Sequence, residues 1–379
     1  MVETAPIKVQ DLEPENEELL VKYFADRSGN CVKLKSMESL STSRPNYVRV
    51  KASPLHAIGG RHFDGYALYD GQPGGYAYFG DKRFVLPKIY KDHVEGIRNM
   101  PLRKDDVWVA TFPRSGTTWT QELTWLLCND LDYKRAAAET LTKRFVFIEF
   151  PSFFPKEILG DPSVLESLGD EIFIDYISLK DAPSPRFIKT HLPMSLLPPQ
   201  LLNTSRVVYV ARDPRDVAVS YYHHNKLFKM IGFNSDFKDY WKLFVKNLVN
   251  WAPYFEHLKE AWAQRNHPNM LFIFYEELYK NLPDVVKRIA NFVGKTYSDE
   301  QIQVLCEHLK IDKMKENKSI QPDWMQNPAI ITEGAEGFIR KGKAGGWREY
   351  FDEEMSAEAE TWIQENLRGT DFRFSETNL

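Results

Sequence analysis

The chain runs to 379 residues, enough to bury a large core as one α/β domain or two smaller ones. Hydrophobic residues make up 43% and charged residues 27%, the balance of a globular protein, and no run of about 18 apolar residues offers a membrane span. A net charge of −4 excludes the basic excess that nucleic-acid binding needs, so a polyanionic ligand must be held by local clusters.

Met1 to Leu20 is acidic and lacks the basic and apolar regions of a signal peptide. Cys31, Cys128 and Cys306 are odd in number and in no metal-ligand spacing, which reads as reduced thiols in a cytoplasmic protein. Residues 1–100 read as an N-terminal extension with a short helix near Glu17 to Phe24. Within it, 37–80 is broken by Ser, Pro and Gly and rich in tyrosine, and is expected to be irregular or short-stranded. From 101 to 379 the pattern is regular. Apolar runs at 107–112, 186–190, 207–211 and 271–274 predict strands buried on both faces of a parallel sheet. Helices lie between them: Asp213-Pro214 suits an N-cap and first turn, Ser298 with Gln301 has capping-box spacing, and Pro283 and Gly294 bracket another helix. Strands alternating with helices predict a single P-loop-like, doubly wound α/β domain with ligands at the C-terminal strand edge. Trp241, Phe244, Leu248, Trp251, Phe255, Leu258 and Trp262 recur at helical spacing and read as core and subunit surface. The acidic stretch 349–360 reads as a solvated helix face.

Thr111-Phe112-Pro113-Arg114-Ser115-Gly116-Thr117-Thr118-Trp119 joins the first of these strands to a helix. Such a turn leaves the first N–H groups of the helix unpaired, and these hold phosphate-like anions with help from the dipole. Gly116 permits close approach, Thr117 and Thr118 add hydroxyls, and Arg114 adds a permanent charge. The loop is not a Walker A motif, which needs a second glycine and a lysine. A second strand ends in Arg212, with Ser220 two turns into the next helix, a pair able to grip one phosphate. Arg340-Lys341-Gly342 adds late positive charge. Two separate anion sites imply a nucleotide with two anionic ends. His191 ends another strand, where a catalytic base would face the crevice. His223-His224 is the rival pair, but neighbours on a helix point about 100° apart. No other His/Cys grouping occurs, so no metal is expected.

These motifs resemble those of the cytosolic sulfotransferases. The loop from Thr111 to Trp119 is similar to the family's TYPKSGTTW, and Lys189-Thr190-His191-Leu192-Pro193 matches its KTHLP segment. Residues 208–222 resemble its 3′-phosphate segment, and Arg340 to Trp347 its RKG-x-x-G-x-W element. The order is the family's, and details such as Arg114 resemble an insect-type branch that includes retinol dehydratase. The resemblance implies a 3′-phosphoadenosine 5′-phosphosulfate (PAPS)-dependent transfer of sulfuryl to a hydroxyl of a small apolar acceptor (phenol, alcohol, sterol or retinoid). His191 would be the general base, with Lys189 and Arg114 stabilising developing charge. Arg114, Ser115, Gly116, Thr117, Thr118 and Trp119 would bind the 5′ side of the nucleotide. Arg212, Ser220, Phe338, Ile339, Arg340, Lys341 and Gly342 would hold its 3′-phosphate end, and Tyr275 with Trp119 the adenine. The alternatives are conversion through a transient sulfate ester to an alkene, a nucleoside or nucleotide kinase, and a non-catalytic nucleotide-gated binder of a hydrophobic ligand.

The chain departs from the family in three places. Arg114 replaces a lysine and cannot act as an acid. His308-Leu309-Lys310-Ile311 replaces H-T-S-F, removing a hydroxyl and an aromatic from the adenosine site. Asp352-Glu353 and Ala357 replace the T-V and final Glu of the dimer motif, so a homodimer would not use the usual contact. Finally, Tyr66, Tyr69, Tyr76 and Tyr78, with Phe145, Phe147, Phe150, Phe153 and Phe154, form either a lid over an apolar acceptor or the packing that docks the extension.

Overall fold

The computed structural model describes residues 5–24, 75–153, 176–328 and 330–374. A small antiparallel sheet of β1 (Val9–Asp11), β2 (Tyr76–Phe79) and β3 (Phe84–Pro87) precedes a parallel one. The latter comprises β4 (Val107–Thr111), β5 (Val146–Phe147), β6 (Phe187–Thr190), β7 (Arg206–Ala211) and β8 (Met270–Phe274), in the order β5-β6-β4-β7-β8. The expected doubly wound sheet is therefore present. Its two-residue strand β5, too short to carry a periodic signal, was not foreseen.

Alternate strand residues point to opposite faces. Val107, Val109, Val208 and Val210 pack with Leu123 and Leu127 of the helix Thr117–Cys128. Trp108, Ala110, Ile188, Val207 and Tyr209 enter a second cluster with Tyr254 and Leu258. Burial on both faces is why these strands read as unbroken apolar runs. The chain leaves β4 for β5, returns beside it as β6, then crosses to the other side as β7. The C-terminal ends of β6, β4 and β7 thus flank the switch point where such sheets bind ligands.

The local signals hold. The Asp213 carboxylate accepts from the Arg215 backbone N–H at 2.8 Å with Pro214 in the first turn, and Ser298 with Gln301 forms the capping box. The aromatic series 241–262 is a correction, because it is not one helix. It divides into Phe237–Val245 and Tyr254–Ala263, with Asn247 and Trp251 at φ of 58° and 66° between them. Pro253 cannot sit inside a helix, and the intervening turn instead pairs with β3: Trp251 N–H donates to Val85 O, and Val85 N–H to Ala252 O, both at 2.8 Å.

Tyr76 and Tyr78 lie in β2, whose Phe79 is fully buried in the same cluster as Trp108. The Tyr78 hydroxyl donates to Glu13 at 2.9 Å. For these two tyrosines docking is the role seen; Tyr66, Tyr69, Phe154 and Cys31 lie outside the described residues. In the last helix, Glu353–Leu367, Met355, Ala359, Ile363 and Leu367 are buried at four-residue spacing. Asp352 caps it, accepting from Met355 N–H at 2.8 Å, and Glu353 and Glu354 fill the first turn, so the acidic cluster complements the helix N-terminus. Among the described residues no helix is long and apolar enough to cross a membrane.

Candidate active site

The chemistry begins where the parallel strands end. The anion loop follows β4, His191 follows β6, Arg212 follows β7 and Tyr275 follows β8. Arg114 and Gly116 take left-handed φ of 68° and 100°, turning the chain so that the helix Thr117–Cys128 starts at the crevice. A side chain at Gly116 would both strain that backbone and approach Tyr275 Cδ2 to 2.7 Å. Gly342, at φ 62°, is similarly closed off by Ile311. Trp119 and Tyr275 meet edge to face at 5.9 Å. Leu309 is fully buried in the core and Ile311 faces the crevice, which is how the departure from H-T-S-F is accommodated.

Arg114 and Arg212 donate to neutral acceptors, whereas Arg340 and Lys341 also meet carboxylates. Arg114 donates to Ser220 Oγ at 3.2 Å and to Phe338 O at 2.8 Å. Its guanidinium therefore stands with the group expected around the 3′-phosphate. Burial, with Arg212 and Arg340 nearby, pulls its pKa down to about 10, still cationic at neutral pH. Arg212 donates to Arg114 O and Lys343 O, both at 2.9 Å, and lies 4.0 Å above the Tyr275 ring. Arg340 donates to Glu336 and the Tyr350 hydroxyl, and Lys341 pairs outward with Glu349. The Asp216 carboxylate accepts from Gly345 and Trp347 N–H at 2.7 and 2.9 Å, fastening the 340–347 segment over the site.

Ser115 Oγ, Trp119 Nε1, Arg212 Nε and Arg340 Nε are buried with no hydrogen-bond partner among the described residues. Orphans of this kind are rare in a folded core. Clustered donors beside an uncapped helix N-terminus fit a polyanionic nucleotide.

His191 is fixed at three points. Its backbone N–H donates to Glu149 Oε1 at 2.5 Å, and its carbonyl accepts from His257 Nε2 at 2.9 Å. Its Nδ1 faces Thr111 O at 2.9 Å. A carbonyl can only accept, so Nδ1 carries the proton and Nε2 presents a lone pair with no partner among the described residues. Burial, then the Lys189 charge, hold the imidazole pKa well below its usual value, so the ring is neutral. Glu149 also accepts from Thr190 Oγ1 at 3.0 Å, and burial raises its pKa to about 7. Lys189 Nζ lies 4.1 Å from the Phe147 ring centre, and burial lowers its pKa to about 8.

A cavity of about 320 Å³ joins these parts. Every sequence-predicted site residue lines it except Ser115, which is fully buried behind the loop. Beyond His191 the walls turn aromatic: Phe147 and Trp251 each stand 5.2 Å from its ring, and Phe153 packs 5.1 Å from Trp251. The sequence reading missed Glu149, His257 and Trp251 as parts of the site. Glu149 stands among the phenylalanines of 145–154, where nothing local marks it as a partner of His191, and Trp251 falls in register with the helical pattern of 241–262. Among the described residues no group of three His, Cys, Asp or Glu stands together as a metal site.

Residues 104–371 match the sulfotransferase domain family, and the chain belongs to that family. It is an enzyme of the transferase class that uses PAPS as co-substrate. It is 37% identical over 309 residues to a luciferin sulfotransferase of Photinus pyralis, spanning 78% of this chain and 81% of the relative. It is 31% identical to sulfotransferase 1A1 of Canis lupus familiaris over 71% of this chain and 86% of that one. A retinol dehydratase crystal structure with androsterone and the inactive cofactor PAP superposes with a TM-score of 0.80 at 38% identity, covering 98% of both chains. The same enzyme with retinol and PAP gives the same score over 98% and 99%.

Proposed function

We propose that this enzyme transfers the sulfuryl group to a hydroxyl of a small, largely apolar acceptor in the cytoplasm, with His191 as general base. The observation that carries the reading is the Nε2 of His191, an acceptor without a partner among the described residues, held at the border between a cationic pocket and an aromatic one. When bound, the nucleotide supplies the activated sulfuryl group and departs as adenosine 3′,5′-bisphosphate. His191 Nε2 takes the acceptor proton as its oxygen bonds to sulfur. Lys189 offsets the negative charge that builds on the transferred group and the leaving oxygen, while Arg114, turned to Ser220 and Phe338 O, adds its charge to the 3′-phosphate end. Ser115 to Trp119 hold the 5′ side, and Arg212, Ser220 and the 338–342 segment the 3′-phosphate. Residues 101–379 act as the transferase domain, with 1–100 an extension whose β3 braces the Trp251 turn.

The retinoid and steroid in the similar crystal structures, and the luciferin named for the relative, support an apolar acceptor. Incubation with sulfur-labelled PAPS and a panel of phenols, aliphatic alcohols, sterols and retinoids should label at least one acceptor. Tight nucleotide binding with no acceptor ever modified would point instead to a non-catalytic binder. The near-complete match to retinol dehydratase favours a second reading, in which the ester loses sulfate to give an alkene. Product mass distinguishes the two.

A further inference from the structure

We propose that His224 is a second recognition point for the acceptor. Its Nε2 accepts from a hydroxyl or N–H other than the group transferred, so the enzyme selects apolar frames that carry two polar ends. The inference rests on the transferase reading above. His224 lies on the helix Pro214–Leu227, four residues after Ser220 and so on the same face. Ser220 is engaged by Arg114; one turn further on, His224 lines the cavity shared with His191. Its ring is surrounded by aromatics, with Phe228 at 5.0 Å, Tyr221 at 5.8 Å and Phe338 at 6.1 Å.

The tautomer follows from its neighbour. Asn225 Nδ2 donates to the Tyr240 hydroxyl at 3.0 Å, which leaves Asn225 Oδ1 toward the imidazole, where Nδ1 meets it at 3.5 Å. An amide oxygen only accepts, so the proton sits on Nδ1. Nε2 is then an acceptor with no partner among the described residues. Burial and the nearby Arg114 charge keep the ring neutral, so the site suits an uncharged donor rather than a carboxylate. An acceptor left bare in an aromatic wall is unfavourable until a donor meets it, and that asymmetry is a source of selectivity. The adjacent His223 turns away to the Tyr350 hydroxyl at 2.7 Å and takes no part.

The test compares rigid mono-ols with diols of the same skeleton: a steroid mono-ol with steroid diols, and phenol with the dihydroxybenzenes. Calorimetric affinity in the presence of adenosine 3′,5′-bisphosphate is measured for the wild type, His224→Phe and His224→Gln, alongside initial rates with PAPS. At least one diol should bind the wild type about three- to tenfold more tightly than its mono-ol. That preference should vanish in His224→Phe and persist in His224→Gln, which restores an acceptor. No diol advantage in the wild type, or an advantage that survives in the Phe variant, overturns the proposal. Preferential binding that follows His224 without any sulfate transfer would keep it and remove the transferase reading instead.

Discussion

The two ends of the cavity are built on opposite plans. At the anion end, cations and backbone donors that follow β4 and β7 or lie in the 338–347 segment are crowded together, Arg114 and Arg212 held by carbonyls and a hydroxyl and Arg340 and Lys341 partly by Glu336 and Glu349. At the acceptor end, His191 and its neutral tautomer are locked by Thr111, Glu149 and His257, and the rest of the wall is aromatic. The first end is arranged to gain affinity from charge. The second is arranged to gain rate from one positioned lone pair, because its apolar surface binds without favouring the transition state. Mutations should therefore divide cleanly into those that cost rate and those that cost nucleotide affinity.

The sharpest break is expected from His191→Ala. Its turnover should fall about 10²–10⁴-fold, the usual worth of a general base. Steady-state rates with labelled PAPS check this, and near-normal turnover would take His191 out of the mechanism. Next comes Arg212→Ala, which should weaken adenosine 3′,5′-bisphosphate binding by about 1.5–3 kcal/mol. An analogue without the 3′-phosphate should bind wild type and variant alike; a variant that still discriminates between the two nucleotides as the wild type does would move the 3′ site elsewhere.

Gly116→Ala places a Cβ against Tyr275 on a left-handed backbone, and should destabilise the fold by about 1–3 kcal/mol while weakening nucleotide binding. Thermal melting with and without nucleotide reads both effects. The pH profile sharpens the contrast from the other side. Lys189, with its pKa lowered to about 8, loses its charge as pH rises, so kcat/KM should decline between about pH 7 and 9. His191 is already neutral there and adds no opposing limb. Lys189→Arg should remove the decline, and an unchanged profile would show that Lys189 does not set it. The smallest change is Asp352→Ala, which should cost about 1 kcal/mol as a lost helix cap without altering the sedimentation coefficient. A change in oligomeric state would place a subunit contact at that turn.

The anion end was legible in the sequence because each part of it is contiguous: strand, turn and helix start within nine residues, and Arg212 and Ser220 lie on one strand end and the helix that follows. The parallel sheet was legible for a related reason, since both-face burial writes itself as short apolar runs. The acceptor end was not, because its parts meet only in space. Glu149 reaches His191 from 42 residues away and His257 reaches it from 66. Trp251 looked like a helical core residue, yet pairing with Val85 pulls it out of the helix and against His191. Local periodicity carries no trace of such contacts.

The separation of the two ends is tested most directly by one set of titrations. Adenosine 3′,5′-bisphosphate affinity would be measured for wild type, His191→Ala, Arg212→Ala and the double variant. His191→Ala should match the wild type, and the double variant should match Arg212→Ala within about 0.5 kcal/mol, as independent sites do. A loss of nucleotide affinity in His191→Ala comparable to that in Arg212→Ala would contradict the division of labour between the two ends.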